Sequence, residues 1–343
     1  MKTSDLKDFK PRVVVWESTR ACNLACVHCR AEACHQAHPD ELETGAVMGF
    51  IDDLASFCKP LLIISGGEPL LRKDVFEVAA YANQRGLPAV MSPNGTLVEE
   101  ETVRRMREAG LRGISISLDG STSERHDRFR KAPGAFEAAV KGIKKAVAGG
   151  IPCQVNTTLT RANLDDLPFI LDLALSLKAF AWDVFMLVPT GRGRVEDEVT
   201  PSEYEEALIW LRDQAVSAPI PVKVTCGPHF TRVVDQRKET EAASGSIHDP
   251  RGCMAGNGFC FVSHIGEVFP CGYLPLLAGK ITEQPFSRIY RESELLALLR
   301  DPSLLKGKCG RCGYRRKCMG CRARAFAVTG DYLEEEPFCV YQP

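Results

Sequence analysis

The chain has 343 residues, 43 Lys and Arg against 44 Asp and Glu, a formal charge of -1 and 45% hydrophobic residues. That balance leaves no basic field for nucleic acid. No apolar run approaches the roughly 20 residues needed to cross a bilayer, and the opening MKTSDLKDFKPR lacks the apolar segment of a signal peptide. The expectation is a cytoplasmic protein with one large and one smaller domain.

In chain order, apolar runs that read as strands alternate with segments of helical period. The strands are expected at Arg12–Glu17, Leu61–Ser65, Pro88–Ser92, Gly113–Asp119, Pro152–Leu159 and Ala181–Val188. Thr44–Lys59 places Val47, Phe50, Ile51, Leu54 and Phe57 at helical spacing. Asp74–Arg85 and Val98–Ala109 stop before Gly86 and Gly110, and Ala135–Ala148 runs into Gly149-Gly150. Asn163–Leu177 and Ser202–Val216 complete the helices. Six β–α units in succession imply an α/β fold with a parallel sheet, either open and doubly wound or an incomplete barrel. Active-site residues then belong at the C-terminal strand ends. Beyond Pro201 the pattern changes, and from Gly252 the sequence is rich in Cys and Gly. The expected division is 1–220 and 221–343, with the boundary between Ser217 and Gly227.

Fifteen cysteines in a chain without an export signal point to metal or redox chemistry rather than disulfides. Cys22-x3-Cys26-x2-Cys29 follows the first strand and supplies three thiolates, where a zinc site wants four ligands. Three thiolates on a four-iron cubane leave one iron open to a small molecule. A zinc site completed by His28 or His35 is the alternative. Gly66-Gly67-Glu68-Pro69 ends the second strand, Pro93-Asn94-Gly95 the third, and Asp119 the fourth. Glycines permit close backbone approach, and a carboxylate complements an ammonium group. Near the C-terminus, Cys309-x2-Cys312-x5-Cys318-x2-Cys321 is followed by Cys339, and Cys253 precedes Gly266-x4-Cys271. Two C-x2-C pairs alone would also suit zinc.

The three-cysteine loop together with Gly66-Gly67-Glu68-Pro69 resembles the radical S-adenosylmethionine (SAM) superfamily, and the C-terminal cysteines resemble its SPASM extension. The resemblance covers nearly the whole chain. It implies a partial (β/α)6 TIM-like barrel and a Cys-rich SPASM domain. It also implies a [4Fe-4S] cluster on Cys22, Cys26 and Cys29 that binds and reductively cleaves SAM. Gly66, Gly67, Glu68 and Pro69 would receive the SAM amino group, and Ser117 and Asp119 its ribose or methionine part. Asn94, Arg130 and Asn156 are further SAM contacts by resemblance, and the His28 backbone would lie near adenine. One or two auxiliary [4Fe-4S] clusters are implied, one on Cys309, Cys312, Cys318 and Cys339. The other would use Cys253, Cys271 and Cys321, with Cys260 as a further ligand or as a buried thiol. Open ligation would let such a cluster bind substrate, and full ligation favours electron transfer.

Within the superfamily, Trp16–Cys22, Cys29–Ala33, Gly258–Tyr273 and Cys321–Ala325 resemble the haem-forming enzymes of the siroheme-dependent pathway. Val188–Gly193 resembles a segment of tetrapyrrole-modifying relatives. That implies oxidative decarboxylation of two propionates of iron-coproporphyrin III to vinyl groups, with a low-potential donor such as flavodoxin or ferredoxin. No nucleic-acid or membrane partner is implied. Arg30, Arg192, Arg194, Arg322 and Arg324 are the candidates for the propionates. His35, His38, His126, His229 and His264 are open to haem-iron ligation, with a structural role the default for each. A SPASM-type peptide maturase, another tetrapyrrole-modifying or a pterin-like reaction, and a zinc-stapled scaffold remain as rivals. Only about a dozen residues precede the first strand, too few for the peptide-binding module such maturases commonly carry.

Overall fold

The computed structural model describes residues 9–240 and 250–343. The reading of the first residues as lacking a signal segment falls mostly on positions 1–8, outside the described residues.

The expected strands appear as β1 (Val13–Glu17), β2 (Leu61–Ser65), β3 (Ala89–Met91), β4 (Ile114–Ser117), β5 (Cys153–Leu159) and β6 (Ala181–Met186), and each pairs in parallel with the next. The helices between them are α1 (Thr44–Phe57), α2 (Val75–Gln84), α3 (Glu100–Glu108), α4 (Ser123–Arg130), α5 (Ala135–Ala148) and α6 (Leu167–Ser176). Alternate residues of each strand face the helices. Val14, Trp16, Leu62, Ile64, Val155 and Val184 are fully buried there, each contributing about 1.5–3 kcal/mol of burial. The opposite face carries Glu17 and Ser65, which are partners in register. It also carries Ser117, Asn156 and Asp183, in register across β4, β5 and β6.

Two features depart from a six-strand sheet. After α7 (Pro201–Ser217), β7 (Val222–Thr225) adds a parallel strand to β6, and α8 (Phe230–Thr240) follows. The last third of the chain then returns to the opposite edge. β8 (Phe259–Val262) runs parallel to β1 and turns through Gly266 (φ 83°) into β9 (Glu267–Phe269) and β10 (Gly279–Lys280), giving one ten-stranded sheet. These strands have two to four residues, too short for their alternation to stand out among Gly and Pro. Short helices complete the chain: α9 (Phe286–Glu292), α10 (Glu294–Leu299), α11 (Gly307–Arg311), α12 (Arg315–Cys318) and α13 (Arg322–Thr329). Among the described residues, no helix is long and apolar enough to cross a membrane.

α4 was also not anticipated. Its sequence, SERHDRFR, has no apolar stripe, and it buries only His126, Phe129 and Arg130. Thr122 caps it by accepting from Arg125 N at 3.4 Å. Its role is to deliver Arg130 beneath the cysteine loop.

Candidate functional site

The loop after β1 is built by its neighbours. Gly67 N and Glu68 N donate to Thr19 O and Ala21 O at 2.6 and 2.7 Å. A Cβ on Gly67 would sit 2.3 Å from Ala21 O, and one on Gly66 (φ 155°) 2.7 Å from Thr19 O. The paired glycines therefore let the β2 loop lie directly on the segment entering Cys22. From the other side, Gly191 (φ 63°) packs where a Cβ would meet Arg30 O at 2.4 Å and Cys29 O at 2.5 Å. Arg192 donates from its backbone to Cys29 O and from its side chain to Cys26 O and Ala33 O, the last two at 2.9 Å.

Cys22 and Cys26 are buried and Cys29 is half-buried, within a small apolar shell of Leu24, Ala31, Ala33 and Ala135. Leu24 N donates to Cys22 Sγ at 3.4 Å, Ala33 N to Cys29 Sγ at 3.4 Å and Arg130 Nη1 to Cys26 Sγ at 3.5 Å. Each thiol thus has at least one donor and an apolar wall, a setting for thiolates that carry metal. Burial pushes the Cys22 thiol up to about 11, so its thiolate needs a cation or metal beside it to form. Among the described residues, no three His, Cys, Asp or Glu side chains gather round a point for a single metal ion. His28 packs against Phe129, with ring centroids 4.5 Å apart and the planes tilted by 41°, and His35 Nδ1 lies 3.2 Å from Cys22 O. Neither zinc alternative is assembled.

The other strand-end residues form two networks. Glu68 is fully buried, and its carboxylate accepts from Asn94 N at 2.6 Å and Leu70 N at 3.0 Å, tying the β2 loop to the β3 loop. Burial pushes Glu68 up to about 7 against those bonds. Pro69 opens a single 3-10 turn behind it. Asn94 Nδ2 reaches Asn23 Oδ1 at 2.8 Å and Cys22 Sγ at 3.9 Å. In the second network, Asp119 accepts from Thr158 N at 2.7 Å and pairs with the buried Arg130, which reaches Cys26. Asp119 N donates to His126 Nδ1 at 3.2 Å, and burial pushes His126 down to about 3, so it stays neutral. Asn156 accepts from Gln154 Nε2 at 2.8 Å. Beside it, Asp183 has one oxygen on Thr225 Oγ1 at 3.1 Å and the other buried without a partner.

The arginine candidates separate. Arg322 is buried and donates to Tyr332 O and Glu334 O; Arg324 is fully buried and held by Glu198 at 3.0 Å and Leu187 O at 2.5 Å. Arg192 braces the cysteine loop, and Arg194 is exposed at a turn. Arg322, Arg324 and Arg192 each spend most of their donors on protein acceptors, although Arg192 Nη2 and Arg322 Nη2 are buried without one. Arg30 is different. It is one-fifth exposed, lies 4.3 Å over the Phe261 ring and donates to Glu17 Oε1 at 2.8 Å. His264 Nδ1 sits 2.7 Å from Glu17 Oε2. Burial would raise the Glu17 carboxyl, but Arg30 and His264 outweigh it and hold it at about 2. Arg20 Nε lies 3.9 Å from the same carboxylate. Reading the strand as apolar hid this buried Glu17 at its end, the one charged residue of β1.

The C-terminal cysteines form two groups. Cys309, Cys312, Cys318 and Cys339 line one recess together with His229 and Arg232. Glu336 N donates to Cys309 Sγ at 3.3 Å. Cys253, Cys271 and Cys321 lie within electrostatic range of one another, and Arg324 N donates to Cys321 Sγ at 3.4 Å. Cys260 does not join them. It is fully buried on the helix-facing side of β8, in register with Val14 and beside Tyr290 and Arg300. It packs as a core thiol, the second of the two roles open to it.

Comparison with known proteins agrees with this geometry. Residues 16–174 match the radical SAM superfamily, and residues 253–322 match SPASM, an iron–sulfur cluster-binding domain. The chain is 49% identical to the AdoMet-dependent heme synthase of Methanosarcina barkeri over 97% of both chains. It is 44% identical to the AdoMet-dependent heme synthase of Nitratidesulfovibrio vulgaris, over 98% of this chain and 95% of that one. Among solved structures, Streptococcus suis SuiB bound to its precursor peptide SuiA superposes with a TM-score of 0.78 at 15% identity, covering 98% of this chain and 78% of that one. That likeness speaks for the fold.

Proposed function

The chain belongs to the radical SAM family and carries its SPASM extension, and from that premise we propose that it converts two propionates of iron-coproporphyrin III to vinyl groups, yielding haem b. Its cofactors are SAM, the [4Fe-4S] cluster of that family and auxiliary iron–sulfur clusters. The end-to-end identity of 49% to a relative named AdoMet-dependent heme synthase carries the substrate reading.

We assign Cys22, Cys26 and Cys29 to the SAM-binding cluster, and Gly66, Gly67, Glu68, Pro69, Asn94, Ser117, Asp119, Arg130 and Asn156 to the surroundings of SAM. When bound, SAM and its cluster would supply a deoxyadenosyl radical able to take a hydrogen atom from a propionate β-carbon. Each propionate then loses CO2 and one electron to become a vinyl group. The residues of this chain position the parts. Glu68 and Asn94 lock two strand-end loops together, and Arg130, with its charge balanced by Asp119, steadies Cys26. Arg30 is the carboxylate partner: Glu17 and Phe261 fix its guanidinium on the interior face of the sheet, near the cysteine loop.

A low-potential carrier such as flavodoxin or ferredoxin would reduce the first cluster. A reducing cytoplasm would suit fifteen cysteines of which none is in a disulfide. Spectroscopic titration with iron-coproporphyrin III tests the substrate reading. One porphyrin bound per chain, displaced by coproporphyrin but not by a porphyrin lacking carboxylates, is the expected result. Absence of binding by the cluster-loaded protein would remove the haem reading and leave the family intact.

A further inference from the structure

We propose that Cys226 is the fourth thiolate of the auxiliary cluster that Cys253, Cys271 and Cys321 hold, so that this cluster has no open iron and accepts electrons instead of binding substrate. The proposal rests on the assignment of those three cysteines as ligands.

Cys226 stands immediately after β7, outside the spaced cysteines of the C-terminal region, and 27 positions before Cys253. The fold brings it to them. Its thiol is within electrostatic range of Cys321, Cys271 and Cys253. Its backbone is held from two sides: Tyr204 Oη donates to Cys226 O at 3.1 Å, and Arg324 Nη1 donates to the same oxygen at 3.2 Å. Arg324 also donates from its backbone to Cys321 Sγ, so one residue braces both cysteines and places a buried cation beside them.

Cys226 adopts φ 61°, a left-handed conformation that L side chains avoid. Such backbone persists where the surroundings over-determine it, and it clusters at functional sites. A core thiol needs none of this. Cys153 and Cys260 show the contrast: both lie in regular strands, deep in apolar surroundings, and no other cysteine is among the groups acting on them. Four thiols within electrostatic range of one another, with the Arg324 cation beside them, match the four-cysteine ligation of a [4Fe-4S] cluster. The turn that carries Cys226 also carries His229 into the neighbouring recess of Cys309, Cys312, Cys318 and Cys339, so it lies between both groups.

Closure has a chemical consequence. An iron without a protein ligand could take a substrate carboxylate; an iron on Cys226 cannot. The remaining use is redox: as CO2 leaves, a fully ligated cluster would take the one electron the substrate releases, and a one-electron carrier protein would reoxidise it.

The test uses the full chain with Cys22, Cys26 and Cys29 replaced by Ala, so that only auxiliary clusters remain. Iron and sulfide are counted, and EPR spectra are recorded on reduction. Cys226→Ala in that background is expected to lose about four irons per chain, or to keep them with an altered signal that shifts again on adding an external thiol. Cys226→Ser should keep the iron with a changed potential, and Cys260→Ala should change nothing. Full iron and unchanged signals for both clusters in Cys226→Ala would overturn the proposal alone. A parent with no auxiliary cluster would overturn the ligand assignment beneath it.

Discussion

The sharpest structural prediction concerns Arg130. Its side chain is buried, as is Asp119, its ion-pair partner. Replacing Arg130 with Met keeps the length of the side chain and removes the charge. Asp119 would then be left in the interior with Thr158 N and no cation. Breaking a buried pair from one side costs about 3–5 kcal/mol, because an uncompensated charge remains. Burial already works to raise the Asp119 carboxyl, and Arg130 is the main group opposing it. The double variant Arg130→Met with Asp119→Asn removes both charges and should recover most of the loss. Urea unfolding of the anaerobic, cluster-loaded protein reads the difference, and a double-mutant cycle isolates the pair. Cys26 also loses its side-chain donor at 3.5 Å, so the signal of the reduced first cluster should change in both Arg130 variants. If Arg130→Met lies within about 1 kcal/mol of the parent, or if the two substitutions simply add, the reasoning about this pair is wrong.

Three further outcomes are expected. Asp183 is pushed up from 3.8 to about 6 by burial, so the fold favours its protonated form. Stability should fall by about 3 kcal/mol as pH rises from about 4 to about 6, and Asp183→Asn should flatten that part of the curve; an unchanged slope would refute it. Gly67→Ala places a Cβ 2.3 Å from Ala21 O and should abolish loading of the first cluster while the auxiliary iron remains, as measured by iron counting and EPR. Arg30→Met should weaken porphyrin binding roughly tenfold to a hundredfold, the value of a charge-assisted hydrogen bond to carboxylate. Equal affinities in the titration would remove Arg30 from that role.

The barrel was legible because its signals are local. β2 and α5 appear with the expected bounds, since an apolar strand or an amphipathic helix is written in consecutive residues. The cysteine loop and the paired glycines were legible for the same reason: their spacing is the chemistry. What escaped depends on contacts between distant residues. β8 is four residues long and becomes a strand by pairing with the free edge of β1. Arg322 and Arg324 looked like carboxylate binders in sequence, and only the fold shows their guanidinium groups donating to Glu198, Tyr332 O and Leu187 O. Cys226 carries no spacing signal at all. Glu17 and His264 are 247 positions apart, so no local pattern could pair them.

The central claim is most directly tested by product analysis. The anaerobic, cluster-loaded chain is reduced and incubated with SAM and iron-coproporphyrin III, and the products are followed by mass spectrometry. The account predicts loss of CO2 and two hydrogens, counting the acid proton, from each of two propionates, with matching 5′-deoxyadenosine. Deoxyadenosine with an unchanged porphyrin would contradict the substrate assignment, and no deoxyadenosine from the fully loaded protein would contradict the radical SAM chemistry itself.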